Sequence, residues 1–117
     1  MAIAVLAGAP ACLAADANAL HQRLLTLDSH LDTPMSLGRP GWSIMDNHTY
    51  ADDLTQVDYP RMVRGGLDGG FFAIYTNQGP RTPEGYAAAR DQALKRAVEI
   101  REMVARNTGY FALATKA

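Results

Sequence analysis

The chain has 117 residues, 48% hydrophobic and 20% charged, with a formal net charge of −1. This is ordinary composition for a globular chain the size of one small domain, and it argues against extended disorder. There is no basic excess to neutralise phosphates, so nucleic-acid binding has no support; the single cysteine, Cys12, excludes both an internal disulfide and a Cys-type structural zinc site.

Ala2 to Ala15 is almost wholly apolar and rich in alanine. It is too short to span a bilayer as a conventional helix. Small residues around Cys12-Leu13-Ala14 and Ala15-Asp16-Ala17 fit a signal-peptidase site, the pattern of a secretory leader. No Lys or Arg precedes the apolar run, which departs from that pattern; the competing reading is a packed N-terminal helix. A lipoprotein role for Cys12 is poorly matched by Ala9-Pro10-Ala11. With a genuine leader, the expected location is extracytoplasmic, periplasmic or secreted.

Leu20, Leu24 and Leu27 open with helical spacing. The apolar run then enters Asp28-Ser29-His30-Leu31-Asp32, which reads as a buried strand delivering polar side chains at its C-terminal end. Thr33-Pro34 closes it. Residues 38–60 read as a long loop punctuated by Gly38, Pro40, Gly41, Asp46, Asn47 and Pro60. Within it Trp42 and Ile44 are expected to pack onto the body. Arg61 to Gly66 reads as a short helical turn ended by a glycine pair.

Leu67 to Tyr75 is the second expected strand, with Phe71 to Tyr75 a continuous apolar block suited to burial on both faces. Thr82-Pro83-Glu84 starts a helix: a capping hydroxyl, proline at the first helical position, and an acid at the positive end of the dipole. Tyr86, Ala89, Ala93, Val98, Ile100 and Val104 form its expected apolar stripe, and Asn107-Thr108-Gly109 its end. Tyr110 to Ala114 reads as a third strand. Strand, long connection, strand, helix, strand argues for an α/β parallel sheet.

His30 and Asp32 are the candidate metal ligands. Residues two apart on a strand share a face, and a neutral imidazole with a carboxylate suits Zn²⁺. In (β/α)₈ barrels the active site lies at the C-terminal ends of the strands. Asp28 has the same parity and could orient a ligand from behind. Alone, His-x-Asp is a weak motif, equally at home in a solvated turn. Tyr75 is a substrate-pocket candidate, with core packing as the alternative. Arg61 and Arg64 read as ion-pair partners of Asp58 or Asp68 before carboxylate binders. His21 and His48 read as surface histidines, and Trp42 as a hydrophobic anchor before a lid.

Leu27-Asp28-Ser29-His30-Leu31-Asp32-Thr33-Pro34 resembles the opening motif of the membrane (renal) dipeptidase family. Val57-Asp58-Tyr59-Pro60-Arg61-Met62, followed by Gly65-Gly66-Leu67-Asp68-Gly69-Gly70-Phe71-Phe72-Ala73, resembles that family's next block. The likeness runs over about residues 24–115. Many members carry Gly-His-Asn where this chain has Ser29-His30-Leu31, a change that removes no ligand. The resemblance implies a (β/α)₈ barrel, a site of two zinc ions with a bridging glutamate, two further histidines and an acid–base aspartate, and dipeptide substrates. It implies that His30 and Asp32 bind one zinc.

Glu84, Glu99 and Glu102 fall in the expected helix and are not assigned the bridging role. The chain then divides into residues 1–19, leader and mature N-terminus, and residues 20–117, the N-terminal portion of an incomplete TIM-type barrel. A barrel needs about 250 residues, so the expectation is a piece that folds poorly and is inactive by itself. The alternatives are a non-catalytic remnant or small exported binding domain, and another barrel metal-dependent hydrolase. A homodimer of a full-length protein and a membrane anchor are left open.

Overall fold

A computed structural model describes residues 16–116. The leader reading of residues 1–15, Cys12 included, lies outside the described residues. Residues 16–21 are helical, followed by β1 (Leu27–Leu31), the short helices α1 (Pro34–Leu37), α2 (Tyr50–Asp53) and α3 (Tyr59–Gly65), β2 (Gly69–Phe72) and the long helix α4 (Pro83–Arg106).

β1 and β2 pair in parallel, the only sheet among the described residues. Parallel neighbours need a crossover connection, and the intervening loop with its three short helices supplies it. Thr26 locks the entry: its N–H donates to Asp68 Oδ2 (2.8 Å), and its carbonyl accepts from the N–H of Asp68 (3.1 Å) and of Gly69 (3.2 Å). Leu27 then faces Gly69, Asp28 faces Gly70 and Leu31 faces Phe72. Two residues of β1, Ser29 and His30, thus stand opposite one of β2, Phe71, a bulge at Ser29-His30. Gly70 is required there, since a Cβ on it would stand 2.5 Å from Leu31 Cδ1.

The helix signals act as their chemistry dictates. Asp58 caps α3 by accepting from Arg61 N–H (2.8 Å), and Gly66 ends it in the left-handed region (φ 65°), a conformation glycine adopts freely. Thr82 caps α4 by accepting from Gly85 N–H (3.2 Å), with Pro83 first in the helix. Glu84 sits at that N-terminus, where its own backbone N–H and the Thr82 hydroxyl hold its carboxyl below the usual range.

The core is small: Leu31, Ile44, Met62, Ile100 and Met103 are the buried hydrophobic residues. α4 turns Arg96, Ile100 and Met103 inward at helical spacing. Tyr86 and Val98, expected in the stripe, are 60% and 53% exposed, so the buried face is rotated from the expected one.

Two further expectations change. The second strand is shorter than Leu67 to Tyr75, and Phe71 is 68% exposed because no described layer covers that face. Tyr110 to Ala114 is not a strand. The N–H groups of Tyr110 and Phe111 both donate to Asn107 O (2.9 Å each), which ties the segment's start to the end of α4 and not to a ladder. The two rings instead meet Tyr59 edge-on, at 5.0 and 5.6 Å. Among the described residues the result is a mixed helix–strand body with two strands, not a barrel. Between β2, α3, α4 and residues 110–114 an apolar groove of about 580 Å³ stays open.

Candidate metal centre

β1 ends at Leu31, and the turn into α1 carries Asp32 beyond the strand. His30 Nε2 lies 3.1 Å from Asp32 Oδ1, with both side chains more than half exposed. The two candidate ligands therefore meet, although the bulge breaks the alternation from which their meeting was expected. Asp28 explains how. Its Oδ1 accepts the His30 N–H at 2.7 Å, a donor that a regular ladder would give to β2. A carboxylate thus replaces a strand neighbour, and the His30 backbone is held by the residue expected to support it.

The pair opens into a groove of about 470 Å³. Its floor comes from the end of β1 and from α1, through Leu31, Thr33 and Met35. Its far wall is Asp53 to Val57, with Arg39 on the rim. Leu54, at φ 61°, turns that wall out of α2.

Polar bonds hold the wall. Asp53 accepts from Trp42 Nε1 (2.9 Å), from Thr55 N–H (2.9 Å) and from the Thr55 hydroxyl (2.5 Å). The Thr55 hydroxyl bond, opposed by burial, with the Thr55 amide, the Trp42 indole and the nearby His48 ring, holds its carboxyl down at about 2. Asp58, fully buried, anchors the next turn. Burial alone would push its carboxyl up. The N–H groups of His48 (2.9 Å) and Arg61, the Arg61 side chain (Nε, 2.7 Å) and its charge outweigh burial, and the carboxyl lies below its ordinary value.

Arg61 is committed to Asp58 and to Thr55 O (2.8 Å), and Arg64 to Asn47 Oδ1 (2.9 Å). Arg64 thus takes an amide where an ion pair was expected. Tyr75 does not line the groove: its hydroxyl donates to the sulfur of Met35, which does, and the Arg96 guanidinium lies 5.4 Å from its ring centre. His21 Nε2 donates to Gly65 O (2.8 Å). His48, expected at the surface, is 16% exposed; its Nε2 donates to Ser43 O (2.8 Å) and its Nδ1 lies 3.0 Å from Asp53 Oδ2. Glu99 packs against Gly38 and faces Lys95 at 3.7 Å, away from the groove.

His30 and Asp32 fit a zinc ion as two of its donors. Tetrahedral ligands at about 2.0–2.1 Å from zinc stand roughly 3.3 Å apart, close to the observed 3.1 Å. Among the described residues no group of three or more His, Cys, Asp or Glu could hold a metal ion. Among the described residues the pair stands alone, open on the solvent side.

Donor side chains at the C-terminal end of a parallel strand, beside a groove walled by the following loop, are the arrangement of α/β enzymes. Residues 14–117 match the family described as membrane dipeptidase (peptidase family M19), and the chain belongs to that family. It is a family of peptidases, hence hydrolases, zinc-dependent in general and built on a TIM-barrel-like fold. A comparison with curated proteins finds no match.

Proposed function

We propose that this chain contributes one zinc half-site to the hydrolysis of dipeptides, with His30 and Asp32 as its metal ligands. The observation that carries the proposal is their 3.1 Å approach at the end of β1, within a chain that belongs to a dipeptidase family. His30 would bind through Nε2 and Asp32 through Oδ1. Zinc held there would lower the pKa of a bound water and polarise a carbonyl. Asp28 fixes the His30 backbone, so the imidazole is presented without reorganisation. The groove beside the pair would receive a short peptide, and the wall at Asp53–Val57 would bound it. The remaining donors are expected from parts of the family's fold that the described residues do not supply. The apolar residues 2–15 support an extracytoplasmic location. No helix among the described residues is long and apolar enough to cross a membrane.

Zinc titration by calorimetry tests this. Removing either ligand by His30→Ala or Asp32→Ala should weaken zinc binding by at least on the order of tenfold. Both positions are exposed, so folding stability should stay within about 0.5 kcal/mol of the parent. Zinc binding unchanged in the double variant would sink the proposal.

A further inference from the structure

Two charged side chains are buried among the described residues, Asp58 and Arg96, and the chain treats them in opposite ways. Asp58 accepts hydrogen bonds from the His48 N–H, the Arg61 N–H and the Arg61 side chain. Arg96, on the inward face of α4, is 8% exposed, and its Nε is fully buried without a hydrogen-bond partner. The acids within two turns of it on α4 are engaged elsewhere: Asp91 with Arg90, Glu99 with Lys95 and Glu102 with Arg106. Gln92, one turn earlier, accepts from the Asn77 N–H. What the guanidinium does meet is the face of Tyr75, with Cζ 5.4 Å from the ring centre.

We propose that Arg96 forms a binding site for a carboxylate, supplied by a small free anion or by the terminal carboxylate of a peptide. An arginine keeps its charge in a protein, so it has no escape by neutralisation, the route open to a buried lysine or carboxyl. A buried charge without a partner is strongly disfavoured. The Tyr75 face offsets part of that, but one ring face cannot accept from five N–H groups. Those donors form a fixed planar fork, which matches the two oxygens of a carboxylate and not a monatomic ion. The site adjoins the groove of the metal pair. α4 packs against α1, and the Tyr75 hydroxyl donates to the sulfur of Met35, the α1 residue that lines that groove. A carboxylate on Arg96 needs no zinc, so this site stands or falls apart from the role given to His30 and Asp32.

The experiment uses the full 117-residue chain with EDTA present. Urea unfolding is compared in sodium acetate and in sodium chloride at equal ionic strength, and the Arg96 Nε–Hε resonance is followed by ¹⁵N NMR. An anion that binds only the folded chain stabilises it by mass action: about 100 mM acetate acting on a Kd of about 10 mM raises the folded-to-unfolded ratio about tenfold. The expected result is a gain of that order in acetate over chloride, with a saturable shift of the Arg96 resonance. Arg96→Met removes the fork, keeps a long side chain and should lose the advantage of acetate. Arg101→Gln, at an exposed arginine of the same helix, should keep it. Alanyl-alanine and its C-terminal amide separate the two sources. A shift with the acid and not the amide assigns the peptide's terminal carboxylate, and a shift with acetate alone assigns a free anion. An Arg96 resonance that neither acetate nor alanyl-alanine moves, or an acetate effect that survives Arg96→Met, overturns the proposal. The resonance needs no variant, so an Arg96→Met chain that fails to fold does not shield it.

Discussion

Residues 42–61 and the β1–β2 pair have opposite imbalances. The first region is dense in polar groups, and almost every one is answered: Asp58 accepts three hydrogen bonds, Asp53 accepts three from Trp42 and Thr55 and faces His48, and Ile44 is nearly fully buried beside them. The second region has regular structure but an uncovered apolar surface, with Leu27 and Phe71 each more than 60% exposed. Short polar side chains can satisfy one another across a few residues. An apolar sheet face has no local answer and needs a second layer. The irregular region is therefore the self-sufficient one, and the regular region is the dependent one.

The largest test of that contrast is Asp58→Ala. It strips the α3 cap, leaves Arg61 without its carboxylate in a half-buried setting and frees the His48 N–H. Removing one member of such a pair costs about 3–5 kcal/mol, and urea unfolding should show a loss of that size. Acid should act on the same region by titration. Asp58 and Asp53 both have folded-state values below the ordinary 3.8. Their contribution is complete well above that value; Asp53's is lost as the pH falls towards about 2, and Asp58's is lost in the same direction, below its ordinary value. A stability that stays flat over that interval would contradict the tight network.

Gly70→Ala tests the sheet and should cost less. The added Cβ meets Leu31 Cδ1 at 2.5 Å and Asp28 O at 3.1 Å, and overpacking of this kind costs about 1–3 kcal/mol. If stability fell as far as in Asp58→Ala, the sheet would be as self-sufficient as the loop, and the contrast would fail. The smallest effect is expected from Phe71→Ser. Its exposed ring has little to lose, so stability should move within about 0.5 kcal/mol. Aggregation, read by light scattering, should fall, because an uncovered apolar edge is a template for association.

The sequence is most legible where a signal is local. Thr82-Pro83-Glu84 marks the start of α4 correctly, and Asn107 its end, because capping depends only on neighbouring residues. His30 and Asp32 do lie side by side, but through a bulge and the turn after β1 and not through the strand alternation that suggested it. The membership that their motif implied is carried by residues 14–117. The Tyr110–Ala114 strand is not seen, because a strand exists only with a partner to share its hydrogen bonds, and periodicity says nothing about the partner. The placement of His48 was equally out of reach. Its ring neighbours are a carboxylate five residues ahead and a carbonyl five behind, joined by a fold of the loop that no helix or strand period encodes. A tryptophan and a histidine six residues apart, with an aspartate after them, is the faint signal that could have flagged it.

The bulge at Ser29-His30 makes three positions into one unit of inheritance. Because Asp28 holds the His30 amide that a regular strand would donate sideways, the backbone path to His30 depends on a side chain two residues earlier. Changes at 28, 30 and 32 should therefore not combine additively, as expected of residues sharing one network. A chain that exchanged Asp28 for an apolar residue would keep its His-x-Asp signature intact in the text of the sequence while losing the geometry that gives it meaning.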